Sequence, residues 1–163
     1  GKADWTWIAK VKENPRLHIP VFGNGDVDSG AGAKEMMDTY GADGVMIGRA
    51  AIGYPWIFRE VKHFLATGTE MAPPTLAERL AAAREHLERS IKWKNKVLGI
   101  LEMRRHYSHY FRGLENIKPF RMRLVQTMDE AEIYQILNEI EIYYKDMETP
   151  FAKTNVKAEY SDG

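Results

Sequence analysis

Apolar and polar positions along this chain change character once, near residue 70. Before that point, short apolar runs alternate with helical stretches. Residues 19–22 (IPVF) and 44–47 (GVMI) are brief and continuously apolar, the pattern of strands covered on both faces. Between them, residues 29–40 place Ala33, Met36, Met37 and Tyr40 inward at helical spacing, and Gly41 stops the helix. Upstream, Asp4 is placed to cap a short helix with Trp5, Ile8 and Val11 on one side, ended by Pro15. Downstream, Pro55 opens a helix to about residue 66 carrying Trp56, Ile57, Val61, Phe64 and Leu65.

After residue 66 the pattern is helical throughout. Residues 67–74 (TGTEMAPP) read as a linker. Thr75 and Glu78 form a capping-box pair, and a long helix follows to about Val97, where Gly99 either breaks the helix or is carried inside it. Ile100, Met103, Tyr107 and Tyr110 make the next apolar stripe. A loop over 113–119, a short helix over 119–126 and a last helix over 129–147 follow, the last with Ile133, Ile136, Leu137, Ile140 and Tyr144 inward. The tail, 149–163, reads as loosely ordered. The organisation is therefore α/β followed by all-α: two βα units over 1–66, then a helical bundle over 75–148. Two parallel strands are too few for a stable sheet, so the chain is read as the C-terminal fragment of a longer barrel.

Composition narrows the functions. The 163 residues carry 23 Lys+Arg against 23 Asp+Glu, so no global field draws the chain to nucleic acid or to a membrane. The balance is local: residues 104–123 hold six Lys/Arg and one acid, Glu115, whereas residues 129–163 hold nine acids and three lysines. With no cysteine, a disulfide scaffold, a thiolate zinc site and a cysteine nucleophile are excluded within the chain. No membrane span and no signal peptide are read.

The candidate chemistry begins at two glycine turns, each at the carboxyl end of a strand. In the first, Gly23 and Gly25 flank Asn24, and Asp26 is placed to fix the turn by accepting backbone N–H groups. In the second, Gly48 is followed by Arg49 and Ala50. Glycine lets main-chain N–H groups approach an anion, and arginine adds a bidentate donor for phosphate. Consecutive βα turns of this kind often cup a phosphate at the mouth of a barrel. The second candidate is the basic run: Arg104, Arg105, Arg112, Lys118, Arg121 and Arg123, beside His106 and His109. At helical spacing, Arg105, Ser108, His109 and Arg112 fall opposite the apolar stripe. A solvated face and an RNA-binding face both fit this pattern. The histidines lack the acidic company of a metal site, and Trp5, Trp7, Trp56 and Trp93 are read as core or interdomain packing residues rather than base-stacking platforms.

Taken together, GKADW, IPVFGNGDV, ADGVMIGRAAIGYPWIF and MRRHYSHYFRGL resemble the C-terminal half of a bacterial tRNA-dihydrouridine synthase. The resemblance implies the last two βα units of an FMN-bound TIM barrel joined to a helical tRNA-binding domain. It implies reduction of a uridine C5–C6 double bond in tRNA, with NADPH recharging the flavin, in the cytoplasm. Asn24, Gly25, Asp26, Gly48 and Arg49 would hold the flavin phosphate, and residues 2–5 would begin just beyond the active-site mouth. The family's catalytic cysteine belongs to an earlier part of the barrel, so no catalytic residue is assigned here, and the fragment alone is expected to be inactive. Gly30 and Gly32 stand where the family tends to have proline and glutamate, which weakens the first turn of that helix. Two other readings remain: a phosphate-binding barrel enzyme acting on a small metabolite, and a stand-alone RNA-binding helical module. Self-association through uncovered barrel strands is a further expectation.

Overall fold

The structure, a computed structural model, describes residues 1–147 and residue 151. The chain divides into two compact units, Gly1–Pro73 and Pro74–Gly163. The expected loose tail lies outside the described residues, apart from Phe151.

In the first unit, helix α1 (Thr6–Lys12) precedes strand β1 (Phe22–Asn24), helix α2 (Gly30–Asp38), strand β2 (Gly44–Met46) and helix α3 (Ile57–Thr67). The two strands pair in parallel, with Phe22 opposite Gly44, Gly23 opposite Val45 and Asn24 opposite Met46. Strand β1 therefore starts three residues later than the apolar run suggests. Pro20 has no N–H to donate. The Val21 N–H goes to the Asp43 carboxylate at 2.7 Å instead of to a ladder carbonyl. The strands are not covered on both faces either: Ile19 and Phe22 are each 68% exposed and Met46 is 58% exposed.

The buried side of this unit is the α2–α3 face. Ala33, Met36, Ile57 and Val61 form its core with Val27, Ala42 and Ala50, and Ile8, Val45 and Tyr54 pack against them. Ser29 caps α2, its hydroxyl accepting the Gly32 N–H at 3.2 Å. Gly30 does not weaken this turn. A Cβ there would stand 2.2 Å from Phe64 Cβ, so glycine is what lets α3 close on α2.

The second unit contains α4 (Leu76–Lys94), α5 (Lys96–Tyr110), α6 (Lys118–Gln126) and α7 (Glu130–Tyr144). The capping box at Thr75 and Glu78 forms in both directions. The break between the first two helices falls at Asn95, not at Gly99. Asn95 adopts φ 82°, ends α4, and accepts the Leu98 N–H at 3.1 Å to begin α5. Asparagine suits both tasks, because it tolerates positive φ and is a strong N-cap.

Gly99 sits inside α5 against the α4 backbone. A Cβ there would lie 2.7 Å from Ile91 N. Leu80, Ala83 and Leu87 of α4 meet Ile100, Met103 and Tyr107 of α5 in a core completed by Leu124, Ile133, Ile136, Leu137 and Ile140. Each fully buried aliphatic side chain contributes roughly 1.5–3 kcal/mol. Buried Arg79, which the sequence did not single out, ties the end of α5 down. It donates to the carbonyls of Pro74, Tyr110 and Arg112, and its guanidinium lies 4.5 Å from the Phe151 ring centre.

Candidate functional site: two glycine turns joined by an ion pair

Parallel pairing of β1 and β2 puts their carboxyl ends side by side, and both turns with them. Gly25 has φ 128° and Asp26 has φ 50°, so the chain leaves β1 through two left-handed residues. The N-terminal segment lies against this turn. Trp5 Nε1 donates to the Gly25 carbonyl at 2.9 Å, and the Ala3 N–H donates to Asp26 Oδ2 at 2.7 Å. A Cβ on Gly25 would stand 2.4 Å from Ala3 Cβ, so only glycine permits this approach.

After β2, Gly48 precedes a single 3-10 turn, Arg49–Ala51. Arg49 reaches back across the strand ends and donates an Nη2 hydrogen bond to Asp26 Oδ1. The Ala3 N–H first, and then the positive charge of Arg49, hold the Asp26 carboxyl below the usual carboxylate range. The Arg49 side chain is 73% exposed. Space beside Gly48 is open, with nothing within 4 Å of where a Cβ would stand. Such an arrangement suits an oxyanion: an exposed guanidinium, an open main-chain approach and a fixed counter-charge that sets the arginine's place.

The basic run of the helical unit separates into two groups. Arg104 is held internally: its Nη2 donates to the Gln126 carbonyl at 3.4 Å and to Met128 Sδ at 3.1 Å, at the end of α6. Arg123 pairs with Glu139 of α7, its second contact at 3.3 Å. Arg105 is exposed and donates to His106 Nε2 at 3.3 Å. Among the described residues, Lys118 and Arg121 have no ion-pair partner. Arg112 is half-buried, and its carbonyl is one of those that Arg79 holds.

His106 is half-buried and its ring centre lies 4.5 Å from that of His86. Burial first, then the neighbouring His86 and Arg105, push its pKa down to about 4. His86 Nδ1 lies 3.1 Å from the Tyr110 hydroxyl, whose pKa burial pushes up to about 12. Among the described residues, no group of three or more His, Asp or Glu is placed to hold a metal ion. No helix of the described residues is long and apolar enough to cross a membrane. Two tryptophans lie outside the cores of their own units: Trp7 is 62% exposed, under the Lys10 ammonium, and Trp93 is 83% exposed.

Fold and site together define a protein that joins a parallel βα layer, with glycine turns at its strand ends, to a separate all-helical unit. Comparison with known proteins gives a narrower answer. The sequence matches the family model described as dihydrouridine synthase (Dus) over residues 1–147, and the chain belongs to that family.

A probable tRNA-dihydrouridine synthase of Rickettsia conorii is 41% identical over 121 residues, covering 74% of this chain and 36% of that protein. Probable tRNA-dihydrouridine synthase 1 of Synechocystis sp. is 37% identical over 139 residues, covering 85% of this chain and 38% of that protein. The tRNA-dihydrouridine synthase B of Shewanella oneidensis is 37% identical over 147 residues, 90% of this chain and 44% of that protein. The chain thus spans about two fifths of the length of these relatives.

Proposed function

We propose that this chain supplies the flavin-phosphate grip and the RNA-docking helices of a flavin-dependent tRNA-dihydrouridine synthase. The observation that carries the reading is the pair of turns at adjacent parallel strand ends, joined by Arg49 and Asp26. Asn24, Gly25, Asp26, Gly48 and Arg49 fit the phosphate of FMN in type and placement: exposed cation, open glycine, acceptor-fixed turn. The first unit is then the last two βα units of a TIM barrel whose other strands cover Ile19, Phe22 and Met46. Left uncovered, those side chains favour self-association.

Held by Asn24, Gly25, Asp26, Gly48 and Arg49, reduced FMN would supply a hydride to one carbon of the uridine C5–C6 double bond of tRNA. An acid from the rest of the full-length enzyme would protonate the other carbon, and NADPH would reduce the flavin again. The residues here hold the phosphate and dock the RNA; the chain alone is inactive. The setting is the cytoplasm. Arg105, Arg112, Lys118 and Arg121 contact the tRNA backbone, where A-form geometry favours shape and phosphate contacts over base reading. Arg104 and Arg123, engaged within the helical unit, act chiefly on its packing. Family membership and the relatives' names support the enzyme reading over a metabolite enzyme or a free-standing RNA module.

The test is flavin titration of the full-length gene product. Arg49→Ala removes about 1.4–3 kcal/mol of charge-assisted bonding and is expected to weaken FMN binding about 10- to 100-fold. Equal affinities would overturn the phosphate assignment.

A further inference from the structure

We infer that Asp26 is the positioning residue for Arg49, and that the segment over residues 1–5 is what fixes Asp26. The inference rests on the reading that Arg49 receives a flavin phosphate, and goes beyond it by naming what sets the arginine in place.

Asp26 is held from below and lends its other oxygen upward. Its Oδ2 accepts the Ala3 N–H at 2.7 Å, and its Oδ1 accepts from Arg49. Ala3 is itself pressed against Gly25, and Trp5 closes the contact through the Gly25 carbonyl and an edge-on packing with Tyr40, ring centres 5.7 Å apart. The carboxylate is thus tied to a rigid corner. Its side chain is 32% exposed, against 73% for Arg49.

An ordinary surface ion pair joins two mobile side chains and contributes little. Here one partner is anchored, so the pair restricts the arginine alone. A guanidinium has five N–H donors in a planar fork. Only one of them is given to Asp26. The rest of the fork remains for a bidentate contact with phosphate oxygens. Restricting a long side chain before the ligand arrives lowers the ordering cost of binding. A carboxylate near a phosphate also repels it. The single shared N–H and the anchored geometry favour orientation over competition.

The experiment is titration of the full-length gene product with FMN and, separately, with riboflavin, which lacks the phosphate. Wild type, Asp26→Asn, Arg49→Ala and the double variant are compared, with far-UV circular dichroism to check folding. Asparagine keeps the left-handed backbone accessible. Asp26→Asn is expected to weaken FMN about 3- to 10-fold, leave riboflavin unchanged, and add nothing in the Arg49→Ala background. Ala3→Pro, which deletes the anchoring N–H, should reproduce the FMN loss. Tighter FMN binding in Asp26→Asn would overturn the inference by showing a competing carboxylate. Equal losses for FMN and riboflavin would overturn it by showing a purely structural turn. Additive losses in the double variant would overturn it as well. A different result, FMN unchanged in Arg49→Ala, would overturn the underlying phosphate reading instead.

Discussion

Gly99→Ala is the sharpest test of how the helical unit is packed, because helix propensity and packing predict opposite signs. On propensity alone, alanine inside a helix gains about 0.5–1 kcal/mol over glycine. The packing argues the reverse. The added Cβ would stand 2.7 Å from Ile91 N, 2.8 Å from Ile91 Cα and 2.8 Å from the Ser90 carbonyl carbon. All three atoms are backbone, so no side chain can swing aside.

Restoring ordinary contact would part α4 and α5 locally by about 0.7 Å, loosening the Leu87, Ile100 and Met103 layer, and overpacking of this kind costs about 1–3 kcal/mol. The net expectation is a loss of about 1–2 kcal/mol. For a unit of this size that lowers the melting temperature by roughly 5–15 °C. The assay is urea and thermal unfolding followed by far-UV circular dichroism. Gly32→Ala serves as comparator. Its Cβ would meet only the Ser29 hydroxyl at 3.3 Å and the edge of the Trp5 ring at 4.0 Å, so it should be neutral or slightly stabilising. A Gly99→Ala protein as stable as wild type, or more so, would refute the close approach of the two helices.

Three further outcomes follow from the same unit. His106 is held neutral, so the folded state binds fewer protons than the unfolded chain: its contribution is complete above about pH 6.5 and is lost as pH falls toward about 4. The loss is roughly 1–2 kcal/mol once solvent screening of a half-exposed ring is allowed for. His106→Leu should flatten the urea midpoint against pH in that window, and an unchanged slope would exclude His106 as its source. In full-length protein, Arg105→Ala/Lys118→Ala should reduce the slope of log K against log salt for tRNA binding by about 1.4–1.8. Arg123→Ala, which breaks the Glu139 pair, should instead lower unfolding stability; a salt slope unmoved by the first pair would place the RNA elsewhere.

Periodicity revealed the order of elements because each buried face is contiguous in the chain. The stripe Ile100, Met103, Tyr107, Tyr110 and the α7 set are buried as their spacing implies. What periodicity missed were positions governed by single polar atoms. Strand β1 is displaced because Asp43 takes the Val21 N–H. The helix break falls at Asn95 because its amide caps the next helix, a signal present in the residue type but outweighed by the more familiar glycine. At the site, both turns were legible from glycine and charge. The Ala3–Asp26–Arg49 connection was not, since it joins residues 23 apart in sequence at each step. The basic run illustrates the converse: Arg104 and Arg123 look like their neighbours in sequence, and only tertiary contacts show that Arg104 reaches the end of α6 and Arg123 reaches Glu139 of α7.

The Asn95 corner has a consequence for the order in which the helical unit forms. With one residue serving both helices, the contacts it creates are short-range in the chain, such as Ile91 against Gly99 and Lys94 with Glu102. Closing so small a loop costs little chain entropy. Proteins rich in such local contacts assemble quickly, whereas β1 and β2 must wait for the whole of α2 to pass between them. The α4–α5 pair is therefore expected to form early in its unit, ahead of its packing against α6 and α7, with Asn95 fixing the corner between them.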